Sequence, residues 1–328
     1  MRAPEFWHEK PGLAAGLLTP IGAALDAAGR LKRAVTRPYR APAPVVCVGN
    51  LVAGGSGKTP VALSLAAKLA AHDIRSAIVM RGYGGRLTGP LRVDPQIHDA
   101  VAVGDEALLT AMWTTCWVAR DRAAGVRAAI AEGAQIIILD DGFQNPGVAK
   151  DLALVVVDGV YGFGNGRLIP AGPLRERVAA GLARADAVVL VGDGTWPKAQ
   201  QPVLRACLEP VAGNRFAGAR LVAFAGIGRP EKFFTSLRAT GAVLTATHGF
   251  PDHYPYHESD LAALRREAAD MDARLLTTRK DWVRLAPRDR DAIDVLDVDL
   301  RWNDPDALDR LLAPLLARIS DDGRTAHV

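Results

Sequence analysis

Gly54-Gly55-Ser56-Gly57-Lys58-Thr59 sets three glycines in four positions and then puts a lysine and a hydroxyl side by side. Backbone N–H groups freed of side chains can converge on a polyphosphate. Lys58 can neutralise its β and γ oxygens, and the Thr59 hydroxyl can reach Mg2+. The buried run Val45 to Val48 lies ahead of this loop, and Pro60 opens an amphipathic pattern behind it. That is the strand–loop–helix context a phosphate loop requires. Val52 stands where a glycine is usual, five places before Gly57, so the loop is a variant. A flexible turn would account for the glycines but not for the Lys-Thr pair.

Ile136-Ile137-Ile138-Leu139 runs directly into Asp140-Asp141-Gly142-Phe143-Gln144. Parallel strands share a C-terminal edge, so these acids should emerge beside Lys58 and Thr59, where a carboxylate holds Mg2+ or its water. Asp-Gly is also a common turn after a strand. Asp105-Glu106 opens another helical run, where acids simply favour the helix dipole. Beside a phosphate loop, the same position could supply the base that accepts a hydroxyl proton. His248 to His257 holds three of the seven histidines. Pro251 and Pro255 exclude a regular helix there, so zinc is disfavoured and a histidine–aspartate pair at an interdomain cleft is the sharper reading. Gly164 to Glu176 is a turn-rich loop ending in Arg175-Glu176, suited either to capping a helix or to recognising an anionic, hydroxyl-rich acceptor.

These groups need a scaffold, and the chain supplies an alternating one. β-branched runs at Val45–Val48, Ser76–Met80, Ile136–Leu139, Leu152–Val157, Ala187–Val191, Leu221–Ala225, Val243–Thr247, Leu275–Thr278 and Asp294–Val298 are interleaved with helical patterns. The fold class is α/β, a P-loop type of mainly parallel sheet flanked by helices, with a smaller α/β C-terminal domain. The polar, weakly patterned stretch 192–217 places a boundary near Gly218. The expected divisions are 1–40, 41–217 and 218–328.

The net charge is +4, from 40 basic and 36 acidic residues. Residues 1–40 hold Arg2, Lys10, Arg30, Lys32, Arg33, Arg37 and Arg40 against Glu5, Glu9 and Asp26, leaving 33 against 33 elsewhere. A basic excess confined to one terminus does not describe a nucleic-acid-binding face. Cys47, Cys116 and Cys207 read as reduced core thiols. Thr19-Pro20 predicts a helix from Pro20 to about Arg37, with Ile21, Leu25, Ala28, Leu31 and Val35 on one stripe and Asp26, Arg30, Arg33 and Arg37 opposite. The stripe suits either packing on the core or an anionic membrane surface, with Phe6, Trp7, Leu17 and Leu18 as anchors. Neither a membrane span nor a secretory signal fits residues 11–29.

Taken in order, the motifs resemble the tetraacyldisaccharide 4'-kinase family. They are Phe6-Trp7, Val48-Gly49-Asn50-Leu51, Gly54 to Pro60, Arg81-Gly82-Tyr83-Gly84, Val103 to Glu106, Asp121-Arg122, Asp140 to Gln144, Leu168 to Glu176, Phe250 to His253 and Thr278 to Asp281. The resemblance implies ATP and Mg2+ as cofactors and an acylated glucosamine disaccharide 1-phosphate as acceptor. It also implies a peripheral place on the cytoplasmic face of the inner membrane. By it, Gly54, Gly55, Ser56, Gly57, Lys58 and Thr59 serve ATP, while Thr59, Glu106, Asp140 and Asp141 form the metal environment. Asp105 is the base, tuned by His253. Arg122, Arg175 and Glu176 hold the γ-phosphate or the sugar, with Asn50, Tyr83 and Gln144 as further candidates. Asn145, Arg177 and Arg279 depart from the residues usual in that family. Two other readings fit the same loop: a membrane-associated nucleotide switch, and a soluble small-molecule kinase.

Overall fold

The structure, a computed structural model, describes residues 4–7, 9, 11–196 and 200–325. Residues 1–3, 8 and 10 of the expected N-terminal segment, 197–199 of the expected boundary stretch and 326–328 lie outside the described residues. Strands β1 (Val45–Gly49), β2 (Ser76–Met80), β3 (Leu91–Arg92), β4 (Cys116–Val118), β5 (Ile136–Asp140), β6 (Leu152–Asp158), β7 (Ala187–Val191) and β8 (Val203–Pro210) share one sheet. β9 (Arg220–Ala225), β10 (Val243–Gly249), β11 (Arg274–Thr278) and β12 (Asp294–Leu296) form a second, parallel sheet in the order β10-β9-β11-β12. β13 (Val298–Trp302) returns to the first, whose order is β13-β8-β7-β6-β1-β5-β2-β4-β3. Only the pairings of β3 with β4 and of β8 with β13 are antiparallel in it.

All residues of β1, β5, β6 and β7 are buried, which is why these runs are apolar without alternation. Val46, Ile138 and Val189 pack on one face with Val61 and Leu65 of the helix α2 (Lys58–Ala70) and with Leu308 and Leu312 of the helix Pro305–Thr325. Cys47, Ile137, Leu139 and Val188 pack on the other with Val126 and Ala129 of the helix Arg122–Ala131. Because β1 lies between β5 and β6, with Val48 level with Asp140, the loop after β1 and the acids ending β5 must leave the sheet together.

Several expectations need correction. The stretch 192–217, expected to mark the boundary, is not weakly structured, since it contains β8, paired with β7 and β13 in the large sheet. The run Asp294–Val298 divides, its first part ending the small sheet and Val298 opening β13. The chain therefore crosses the boundary expected near Gly218 and comes back. β8 escaped notice because its residues alternate, Leu204 and Ala206 buried and Arg205 exposed, giving a polar composition. Cys207, on the same strand, is half-exposed rather than a core thiol.

The N-terminal helix α1 runs from Leu13 to Val35, so it begins about two turns before the predicted start at Pro20. Thr19 does not cap it; its hydroxyl donates to the Ala15 carbonyl inside the helix, and Pro20 is an interior residue. Of the two readings of the stripe, packing on the core is not the one found: Leu25 is 54% exposed and Leu31 65%, as is the anchor Leu17 at 81%, whereas Ala15, Gly22 and Asp26 are buried. Gly22 is required there, since a Cβ would lie 2.9 Å from Leu168 Cβ. No helix among the described residues is long and apolar enough to cross a membrane.

Candidate active site

Gly57, with φ of +90°, is the left-handed residue that turns the loop into α2, and Gly54, at +111°, is a second. Asn50 is fully buried behind the loop and donates to Ser56 Oγ at 3.0 Å and to the Gly54 carbonyl at 3.4 Å, so it braces the loop rather than facing an acceptor. Val52 needs no glycine because its backbone is extended in a bridge to Leu174, its side chain is buried, and Ala53 N donates to the Pro173 carbonyl at 2.7 Å. The loop Gly164 to Glu176 is thereby zipped onto the phosphate loop.

Thr59 Oγ1 donates to Asp140 Oδ2 at 3.0 Å, and Lys58 Nζ lies 3.6 Å from Asp141 Oδ1, which also accepts from Arg175 Nη1 at 2.8 Å. Asp141 holds its place with φ of +53°. Burial, with Glu106 nearby, pushes the Asp140 carboxyl up to about 7, against Lys58 and the Thr59 hydroxyl. Burial works upward on Asp141 too, but Lys58 and Arg175 hold it below the usual carboxylate range. Asp140 Oδ1 is buried without a hydrogen-bond partner. An unsatisfied carboxylate oxygen beside a hydroxyl, with a further carboxylate at Glu106, is a hard-oxygen set that fits Mg2+. No three acidic, histidine or cysteine side chains among the described residues converge closely enough to hold a metal alone. Mg2+ in phosphoryl-transfer sites does not need them, because substrate phosphates and water complete its shell.

Asp105, 4% exposed, opens the helix Asp105–Ala111. Its Oδ2 meets His253 Nδ1 at 2.8 Å and accepts from Arg284 Nε at 2.9 Å, while Oδ1 accepts from Glu106 N. Burial alone would raise this carboxyl, yet His253, Lys280 and Arg284 together bring it down to about 2. Lys280 Nζ lies 3.1 Å from Glu106 Oε1 and 3.4 Å from His253 Nε2. An ammonium only donates, which assigns Nε2 as acceptor and Nδ1–H as donor to Asp105. Burial would lower the Lys280 ammonium, but Glu106, Asp105 and Asp252 raise it. His253 itself sits at φ +58°, and the Tyr83 ring is 5.7 Å from it, largely exposed at the mouth. Lys280 and Arg284 flank Asp281, which accepts from Gly226 N at 2.8 Å and fixes the turn that delivers His253.

The remaining candidates divide. Arg122 is buried, donates to the Ala119 carbonyl at 2.6 Å and leaves Nε without a partner; burial pushes its guanidinium down to about 10. Gln144 donates to the Asn50 carbonyl at 2.8 Å and to Glu176 at 3.1 Å. Glu176, predicted to hold the acceptor, is 1% exposed, gripped through both oxygens by Arg184 at 2.8 Å and approached by Arg33 of α1 at 3.5 Å. It is therefore a strut under the loop. Arg177, one of the departures, pairs with buried Asp26 of α1 at 3.2 Å, and Arg279, another, grips Asp297 at 2.7 and 2.6 Å. Sequence reasoning missed the roles of Arg284, Lys280 and Asp158. Lys280 and Asp281 stood within a quoted motif, but Arg284 carried no local signal.

A phosphate loop on a buried parallel strand, with its lysine and threonine against strand-end carboxylates and a carboxylate–histidine pair alongside, defines a P-loop phosphotransferase. The sequence model of the tetraacyldisaccharide-1-P 4'-kinase family matches residues 14–317. The chain is 54% identical to the tetraacyldisaccharide 4'-kinase of Rhodospirillum centenum, with 99% of each covered, and 51% identical to that of Rhodospirillum rubrum, with 96% of this chain and 98% of the relative covered. It superposes with a TM-score of 0.76 on a crystal structure of LpxK from Aquifex aeolicus, described as an apo form in complex with ATP, at 26% identity over 92% of this chain and 99% of that one. The chain belongs to the tetraacyldisaccharide 4'-kinase family.

Proposed function

We propose that this chain transfers the γ-phosphoryl group of ATP to the 4'-hydroxyl of a tetraacylated glucosamine disaccharide 1-phosphate, a lipid A precursor, at the cytoplasmic face of the bacterial inner membrane. One observation carries the reading: groups suited to a polyphosphate (Lys58, Thr59, Asp140, Asp141) and a pair suited to an alcohol (Asp105, His253) are joined through Glu106, which follows Asp105, lies near enough to Asp140 to push its carboxyl up, and pairs with Lys280. The family, and the ATP named for the Aquifex structure, support the same donor and acceptor.

Backbone N–H groups of Gly54 to Lys58 and the Lys58 ammonium hold the phosphates, and Arg122 and Arg175 add positive charge as the γ-group moves. Thr59, Asp140 and Glu106, with Asp141 behind Lys58, would hold Mg2+, which when bound neutralises charge on the phosphate oxygens. Asp105 stays ionised throughout the physiological range, so it accepts the hydrogen bond of the 4'-hydroxyl and then its proton, as the new O–P bond forms and the bond to ADP breaks. A weak base suffices because the attacking oxygen is only loosely bonded in such a transition state. His253 fixes the carboxylate's orientation.

The outward stripe of α1 supports a membrane surface. Each leucine taken from water contributes about 1.5–3 kcal/mol, and each cation near an anionic leaflet adds about 1 kcal/mol. Incubation with labelled ATP, Mg2+ and the acylated disaccharide in detergent tests the reading. Lipid-borne label that depends on Lys58 is the expected result; ATP hydrolysis without transfer would mark a nucleotide switch and overturn it. Full activity on a deacylated acceptor after removal of residues 1–37, with none on the acylated one in either form, would mark a soluble small-molecule kinase.

A further inference from the structure

β6 ends on Asp158, one strand away from the phosphate loop on the side opposite Asp140. Its side chain is 4% exposed, and its Oδ1 accepts from Val160 N at 3.1 Å and Tyr161 N at 2.9 Å, so the loop after β6 holds it rigidly. Its Oδ2 is turned to the small sheet's unit, where it accepts from Arg229 Nη2 at 2.6 Å and Lys232 Nζ at 3.1 Å. The same Arg229 nitrogen donates to the carbonyl of Gly55 within the phosphate loop at 3.1 Å, and its guanidinium lies over the Tyr161 ring. Arg229 immediately precedes the helix Pro230–Ala239, which packs on β9 and β10. The same unit makes a second contact with the large sheet's unit, on the helix Asp105–Ala111, through His253 and Arg284 on Asp105 and Lys280 on Glu106. The mechanism uses that second contact and leaves the first without a task.

We infer that Arg229, held by Asp158 and assisted by Lys232, is a positioning residue for phosphoryl transfer: it pins the small unit to the phosphate loop at Gly55, so that His253 is set on Asp105 while the γ-phosphoryl group lies in the loop. The inference rests on the kinase reading above. A two-point attachment fixes an angle that one point leaves free, and a 1 Å misplacement far from the chemistry can cost about 100-fold in rate. A paired, desolvated carboxylate is suited to specifying one geometry, since the pair is satisfied in only one arrangement. Arg229 reaches two acceptors with one nitrogen, and Gly55 is part of the loop that changes its charge when nucleotide arrives. The contact therefore links loop occupancy to the position of His253 without either residue touching the acceptor.

The test uses the full chain, ATP and the acylated disaccharide in detergent, with Arg229→Met, Arg229→Lys, Asp158→Asn and the double variant Arg229→Met/Asp158→Asn. A fluorescent ATP analogue reports nucleotide binding, and circular dichroism reports folding. Expected are a fall in kcat of about 10–100-fold for Arg229→Met, an acceptor KM within about threefold, partial recovery in Arg229→Lys, and a double variant no worse than the poorer single one. Unchanged kcat in folded Arg229→Met, or losses that multiply in the double variant, would overturn the inference. If Asp158→Asn fails to fold, Arg229→Lys against Arg229→Met decides it alone: equal rates in the two would count against the latch. Absence of lipid label from the wild type would instead sink the kinase reading, so the two failures are distinguishable.

Discussion

Lys58, Thr59, Asp140 and Asp141 leave neighbouring strands of one sheet, whereas Asp105 is completed by His253, Lys280 and Arg284 from a unit whose strands belong to another. On the first side, strand order sets the placement: once β1 and β5 pair with Val48 level with Asp140, the phosphate loop and the acids leave the sheet together, and local contacts from Asn50 and Arg175 hold them. On the second, geometry depends on how two units seat against each other, and charge does what strand pairing cannot. Arg284, 6% exposed, spans Asp105 and Asp281, so it ties the base to the turn that carries His253. Phosphate binding and acceptor handling are thus positioned by different means in the same cleft.

Four predictions can break or sharpen this contrast. The largest effect is expected from Lys58→Ala, which removes a fixed charge from the preformed side: kcat/KM for ATP should fall by about a thousandfold or more in a steady-state assay, with the fold intact. Asp105→Asn should lower kcat by about 100- to 1000-fold while nucleotide affinity, measured by titration, stays near wild type, because the phosphate side does not depend on it. If nucleotide affinity collapses as well, the two sides are not separable. Leu17→Asp together with Leu25→Asp on α1 should weaken sedimentation with anionic vesicles by about tenfold or more, leaving turnover of a deacylated acceptor unchanged.

The smallest effect concerns Asp158. Burial works to raise its carboxyl, but Arg229, the Tyr161 N–H and Lys232 bring it down to about 2. A carboxyl depressed on folding adds stability that is present above its unfolded value near 4 and is lost as pH falls through the folded one. Unfolding free energy should therefore drop between about pH 4 and pH 2, by about 1–2 kcal/mol once the partial exposure of Arg229 and Lys232 is allowed for. Asp158→Asn should flatten that part of the curve in urea titrations at stepped pH.

The contrast also explains what could be read from residues alone. Lys58-Thr59 and Asp140-Asp141 were legible because each follows an unalternating apolar run, and the burial of such runs forces a central parallel strand. The pairing of Asp105 with His253 rests on the resemblance, because no local pattern spans the distance between them. Arg284 and Arg229 were invisible for the same reason, since an arginine's partner is decided by packing of the two units. α1 shows the opposite failure. Its amphipathic stripe is legible in the residues, but the face that meets the core is not, because Gly22 and Asp26, on the narrow polar side, are what fit against Leu168 and Arg177. The strand β8 was lost to its polar alternation, and with it the return of the chain through β13 to the first sheet.

The central claim, that a carboxylate fastened by the second unit receives the acceptor's proton beside a preformed phosphate loop, is tested most directly by single-turnover transfer from labelled ATP to the acylated disaccharide in the wild type and Asp105→Asn. The account predicts rapid appearance of lipid-borne label in the wild type and at least about a hundredfold slower appearance in Asp105→Asn at equal nucleotide occupancy. Transfer at the wild-type rate by Asp105→Asn would contradict it.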